Sequence, residues 1–272
     1  MDEDRFVKES ISKLDTALFA SYKNGCDESF HSILSYLKKN KDKFTSEEVD
    51  NINYAIARYI SRYTNNETDV LNIEAILSLL LERENMSIYD IKHLKLGGFS
   101  NVFRLNNTVL KVGFNRATEE IPDNSKMLVP EFRRRIGNLF IEITDYCPLK
   151  NASYGDLCIL YSALRDEGVT WVDPNHLNVG VINNRLIVKQ IDRRKNIKEL
   201  GIISNPLMEE VNLKEGDLVI IDVDHLVFDE EKDRIKELKN LLNEDTEQTL
   251  YMLEKEYNKG KVLKKEQKRS GI

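Results

Sequence analysis

Trp171-Val172-Asp173-Pro174-Asn175-His176-Leu177-Asn178 is the stretch from which the rest of the chain is read. It sets a carboxylate, Asp173, and a carboxamide, Asn178, on one short polar loop, and the apolar run Val179-Gly180-Val181-Ile182 follows at once. Taken alone the stretch decides little, because Asp-Pro-Asn is good turn chemistry in its own right. Trp171, the only tryptophan, reads as a packing residue under the loop. His176 has no metal-like companion nearby in sequence and reads as structural. The segments before and after the loop carry the decision.

Upstream, residues 96–112 run Leu-Gly-Gly-Phe-Ser-Asn-Val-Phe-Arg-Leu-Asn-Asn-Thr-Val-Leu-Lys-Val. The pattern predicts a strand, a glycine turn, an alternating strand through Val102 and Arg104, a tight turn at Asn106-Asn107, and a third apolar strand carrying Lys111. Gly97 and Gly98 let backbone amides approach phosphate oxygens closely. A lysine within a buried apolar strand is costly unless it meets negative charge, and nucleotide phosphates are one source of it. Downstream, Gly216-Asp-Leu-Val-Ile-Ile-Asp-Val-Asp-His-Leu-Val-Phe228 is a strongly apolar strand with Asp222 and Asp224 set into it. Carboxylates at the end of a buried strand need a partner, and Mg²⁺ is an economical one.

In this order the glycine turn, the strand lysine, the D-x-x-x-x-N loop and the late strand ending in aspartate resemble the protein-kinase-like superfamily over residues 94–228. The resemblance implies a two-lobed α+β fold with a reduced C-lobe, preceded by an all-helical N-terminal domain. It implies binding of ATP and Mg²⁺ and transfer of a phosphoryl group to a hydroxyl. Gly97, Gly98, Phe99, Ser100 and Val102 would cover the nucleotide, and Lys111 would hold its α/β-phosphates. Asp173 would be the catalytic base, and Asn178 and Asp222 would ligate Mg²⁺. Glu142-Ile-Thr-Asp-Tyr-Cys147 falls at the family's hinge, so Glu142, Thr144 and Tyr146 would meet adenine through backbone groups.

The departures are specific. Ser100 stands where many members carry a further glycine, and Trp171-Val172 replaces His-Arg before the catalytic aspartate. Asp222 is followed by Val-Asp rather than Phe-Gly. The link after Lys111 is too short for a full regulatory helix, which leaves Glu119 or Glu120 as the lysine's acidic partner. Asp192 rivals Asp222 as a metal ligand by spacing, and Asp224 is a lesser candidate. Asp222 is preferred, since Asp192 runs into Arg193-Arg194-Lys195. A protein Ser/Thr kinase, acting on an unidentified protein or on its own chain, is the favoured activity. The alternatives are a pseudokinase that binds nucleotide or a partner without transfer, an AMP transferase, a small-molecule kinase, and a plain α+β interaction protein.

Around this centre, 272 residues with 41% hydrophobic and 32% charged side chains give ample core and argue against global disorder. A net charge of −6 gives no reason to expect nucleic-acid binding. The cysteines, Cys26, Cys147 and Cys158, show no metal-ligand spacing and read as free thiols of a cytoplasmic protein. No apolar run approaches a membrane span. Residues 1–92 read as helices, with Phe6 to Phe19 and Phe30 to Leu37 at helical spacing, a start at Thr45-Ser-Glu-Glu, and a leucine-rich segment from Val70 to Arg83. This domain is expected either to bind a partner or to brace the small lobe. The lobes are expected at 93–147 and 148–258.

Strands are predicted at Met127–Ile136, which carries the run Arg133-Arg134-Arg135, and at Leu139–Tyr146, joined by Gly137-Asn138. A helix from Tyr154 to Asp166 is expected to end at Gly168. Residues 183–216 read as an insertion with a hairpin at Val181–Gln190, followed by helices from Asp229 to about Tyr257. A basic, disordered tail is expected over 259–272.

Overall fold

Thr45 caps a helix reciprocally: its hydroxyl accepts the Glu48 N–H, and the Glu48 carboxylate accepts the Thr45 N–H. Such a box satisfies two backbone donors that the first turn would leave orphaned. In this computed structural model the described residues are 28–62, 64–96, 100–114, 121–199 and 212–270, with 5, 9 and 12. The repeat from Phe6 to Phe19 falls mostly outside them. From residue 28 on, the helices α1 (Glu28–Lys39), α2 (Ser46–Ile60) and α3 (Glu67–Arg83) precede the sheet.

An antiparallel sheet follows, of β1 (Lys92–Leu96), β2 (Ser100–Leu105), β3 (Thr108–Phe114), β4 (Phe132–Ile136) and β5 (Leu139–Asp145). Its spatial order is β1-β2-β3-β5-β4. Asn106, with φ of 52°, makes the tight turn between β2 and β3. Phe30, Tyr59, Ile73 and Leu77 from the helices share one core with Phe103, Leu110, Val112, Ile141 and Ile143 from the sheet. Helices and sheet therefore belong to one compact unit, residues 1–119 with 130–146, and position 92 does not divide two cores.

The second unit comprises residues 120–129 and 147–272. It contains α4 (Tyr154–Asp166), β6 (Val169–Trp171), β7 (Val179–Val181), α5 (Asn184–Glu199), β8 (Leu218–Ile220), β9 (Leu226–Phe228), α6 (Lys232–Lys239) and α7 (Glu244–Ser270). Ser153 and Asp156 form the capping box of α4, and Gly168 follows the helix at φ of +75°. Leu157, Leu160, Leu164, Trp171, Val179, Ile220, Leu226 and Leu253 build this unit's core. Trp171 is fully buried there. Among the described residues no helix is long and apolar enough to cross a membrane.

Four elements differ from the sequence reading, the first being the single strand read over 216–228, which is two, β8 and β9, parted by a loop at 221–225 that carries Asp222 and Asp224. The strand expected over 127–136 exists only from Phe132, because Pro130 has no N–H to continue a ladder. The hairpin expected at 181–190 is instead α5, whose first turn is capped by the Asn183 side chain accepting the Leu186 N–H at 3.0 Å. The tail is helical through Ser270 rather than disordered. Its Lys, Glu and Gln residues are good helix formers, so charge alone did not decide its structure.

Candidate functional site

Two groups of residues carry the candidate chemistry, one in each unit. In the sheet, strand register places Val102, Lys111, Glu142 and Arg133 in one row across β2, β3, β5 and β4. Alternate residues on these strands, Leu110, Val112, Ile141 and Ile143, enter the core shared with the helices. The row therefore lies on the opposite face of the sheet. Lys111 Nζ stands 3.0 Å from Glu142 Oε1, and the Arg133 guanidinium sits on the other carboxylate oxygen. The Glu142 side chain is 2% exposed. Arg133 also lies over the Phe140 ring, 4.7 Å from its centre. The basic run of β4 is thus not wholly a solvated face.

Glu142 was expected at a hinge that meets adenine. It lies instead within β5, flanked on both sides by strands, so its backbone serves the ladders. Its side chain supplies an acidic partner for Lys111. Thr144 shares its face and is buried, near the end of β5. Tyr146 follows the strand, donates its N–H to the Asn107 carbonyl at 2.7 Å, and carries the Arg104 guanidinium 3.5 Å from its ring centre. Ser100 opens β2 opposite Gly113. Gly97, Gly98, Phe99, Glu119 and Glu120 lie outside the described residues. Glu142 could have been found by the argument that singled out Lys111: Leu-Phe-Ile-Glu-Ile-Thr carries one carboxylate inside an apolar strand.

In the second unit the decisive feature is the pairing of four short strands. β6 pairs with β9 and β7 pairs with β8, both antiparallel. The loop 172–178 leaves β6 and enters β7, while the loop 221–225 leaves β8 and enters β9. Two loops thus bridge the same two ladders side by side. Val172 donates its N–H to the His225 carbonyl at 2.9 Å, and Ile221 donates its N–H to the Asn178 carbonyl at 2.9 Å. These two bonds tie the loops together at both ends.

Asp173 follows the first tie, and Asn178 and Asp222 flank the second. All three therefore lie on the two tied loops, Asp173 beside one tie and Asn178 and Asp222 at the other. Asn175 shapes the first loop by accepting the Leu177 N–H at 2.9 Å, and a short helical turn at His176–Asn178 leaves Asn178 buried. Asp224 donates its N–H to Asp222 Oδ1 at 3.5 Å. Asp192 lies on α5 and belongs to neither loop. His176 is exposed.

The donors gathered here are an amide oxygen and carboxylates, which suit a hard cation. Among the described residues no group of three or more His, Cys, Asp or Glu side chains could hold a metal ion by itself. A cation that keeps waters and phosphate oxygens as ligands needs only one or two protein donors, and the pair Asn178 and Asp222 fits that requirement. No protein-family model matches the chain, and no curated protein matches it.

Proposed function

We propose that the chain is an ATP- and Mg²⁺-dependent phosphotransferase of protein-kinase-like fold, acting on a hydroxyl, with a protein Ser or Thr as the favoured acceptor. The observation that carries this reading is the pair of tied loops, which bear Asp173, Asn178 and Asp222. The order β1-β2-β3-β5-β4, with a lysine on β3, supports it from the sheet. The two compact units are read as the two lobes.

Each residue has a distinct task in this reading. Lys111, oriented by Glu142, pairs with phosphate oxygens of the nucleotide. Asp173 accepts a hydrogen bond from the acceptor hydroxyl, aims its oxygen and takes its proton as transfer proceeds. Asn178 and Asp222 present oxygens to Mg²⁺, which when bound would neutralise charge on the phosphates. Transfer of this kind is mainly positioning and charge neutralisation, so few residues need to be chemically special.

The test is intact-mass spectrometry after incubation of the purified chain with Mg²⁺ and ATP, with Asp173→Ala alongside. Phosphate-sized gains in the wild type alone are the expected outcome, with Asp173→Ala still stabilised thermally by nucleotide. An AMP-sized gain would move the assignment to nucleotidyl transfer. A second reading, a pseudokinase that binds nucleotide without transfer, draws on Trp171-Val172 standing in place of His-Arg. It predicts thermal stabilisation without any gain in mass, even when candidate protein acceptors are supplied. Neither gain nor stabilisation would overturn both.

A further inference from the structure

β8, which leads into Asp222, has a neighbour on each side. On one side it pairs with β7, through Val179 opposite Ile220. On the other lies residues 126–128, running parallel: Leu128 donates its N–H to the Ile220 carbonyl at 2.8 Å, and Ile220 donates its N–H to the Lys126 carbonyl at 2.7 Å. Backbone groups of an extended chain point alternately to its two edges, so the groups of Met127 and Val129 face away from β8. In a buried setting those groups need partners.

α5 supplies them with side chains. The Arg194 guanidinium donates to the Met127 carbonyl and to the Asp123 carboxylate. The Gln190 amide works in both directions on Val129: its oxygen accepts the Val129 N–H at 2.6 Å, and its nitrogen donates to the Val129 carbonyl at 3.2 Å. Gln190 and Arg194 are one helical turn apart, on the same face of α5. Arg194 is 1% exposed and Gln190 is fully buried. Asn124, two residues before Lys126, accepts the Lys126 N–H at 2.8 Å and donates to Glu167 at 2.8 Å. One face of a helix thus stands in for the next strand of a sheet.

We infer that Arg194 and Gln190 are positioning residues for Asp222: they hold residues 126–129 against β8 and so fix where Asp222 stands relative to Asn178. This inference rests on the phosphotransferase reading. β7 is joined to Asn178 through the chain itself, so that side of β8 is held by the loop. The other side is a separate segment, held by its two ladder bonds to Ile220, by packing of Leu128 with Leu186 and Val219, and by the polar clamp from α5. Releasing the clamp loosens the outer edge of this segment and with it the second neighbour of Ile220. The Ile221–Asn178 bond is next along the chain, and Asp222 follows it.

The experiment uses the full chain with Mn²⁺ and ADP as probes, following bound Mn²⁺ by electron paramagnetic resonance, with the ligand-free melting temperature recorded on the same samples. Arg194→Lys keeps the positive charge facing Asp123, but a single ammonium lacks the planar fork that also reaches the Met127 carbonyl. Its half-saturating Mn²⁺ concentration is expected to rise about 10- to 100-fold, as when the partners orienting a metal ligand are lost. A chain that melts earlier yet binds Mn²⁺ within about twofold of wild type would overturn the inference, leaving the clamp a purely structural role. Should Arg194→Lys fail to fold, Gln190→Leu removes the two Gln190 bonds to Val129 at similar volume, leaving the longer Arg193 bond to its carbonyl at 3.4 Å, and the same two outcomes decide. A wild type that binds no Mn²⁺ in the presence of ADP would instead overturn the phosphotransferase reading, and this inference with it.

Discussion

Glu142 holds two cations at once, Lys111 from β3 and Arg133 from β4, inside a carboxylate environment nearly closed to solvent. Its replacement by Gln would leave two buried positive groups facing a neutral amide. Breaking a buried ion pair from one side costs about 3–5 kcal/mol, so Glu142→Gln is expected to lower the free energy of unfolding by that order, read from denaturant midpoints. A loss near zero would show that the three side chains are not coupled. Gly137 makes a second sharp demand. Its φ is +59°, and a β-carbon there would fall 1.8 Å from the Asp69 carboxylate. Asp69 is itself buried, accepting from the Thr64 hydroxyl at 2.9 Å and the Asn138 amide at 3.1 Å. Gly137→Ala is therefore expected to cost at least the strain of a positive φ, about 1–3 kcal/mol, and a variant that melts with the wild type would refute this. Lys111 was legible in the sequence as a misplaced charge. Glu142 was legible by the same argument, but its pairing with Lys111 was not, because the two lie on strands some thirty positions apart in the numbering.

Among the elements, those with regular apolar spacing or strong caps were legible: α4, with Leu157, Leu160, Tyr161 and Leu164 along one face, and the β2–β3 hairpin. α5 was not. Its buried face presents Leu186, then Gln190, then Arg194, so its apolar period is replaced by polar groups that work only in the folded setting. Arg194, in the middle of Arg193-Arg194-Lys195, is buried, so a run of charges in the sequence does not mark a surface here. Two tests belong at this scale. The Asp156 carboxyl, bonded by the backbone N–H and hydroxyl of Ser153, is held below its usual range. A lowered folded-state pKa adds stability above the unfolded pKa, and that stability is lost as pH falls through the folded value. Asp156→Asn should consequently flatten the acid side of the stability–pH curve, and an unchanged acid limb would count against the cap. The second test separates two aspartates by the element that bears them. Asp222→Ala is expected to abolish Mg²⁺-dependent thermal stabilisation by nucleotide, whereas Asp192→Ala, on α5, should retain it. The reverse result would transfer the ligand role to the helix.

For the whole molecule, the mixed α and β composition and the presence of a hairpin-built sheet could be read from alternation and turn residues. Which core the helices join, and the side on which residues 120–129 fall, could not. Periodicity reports which face of a segment is buried but not what covers it, so it left open whether the helices stand alone or brace the sheet, with which they share a core. The division also follows a path that no local signal marks. The chain leaves the first unit after Glu119, returns at Pro130, and leaves again after Tyr146. The first unit is thus two separate pieces of sequence, and β5, the neighbour of β3, belongs to the later piece. A gene fragment encoding residues 1–119 would yield a polypeptide without β4 and β5, with the ladder edge of Thr108–Phe114 open to other chains. That fragment is expected to aggregate on expression, whereas residues 1–146 would carry every strand of the sheet. Inheritance by recombination meets the same restriction: neither unit can be exchanged as one uninterrupted stretch of coding sequence.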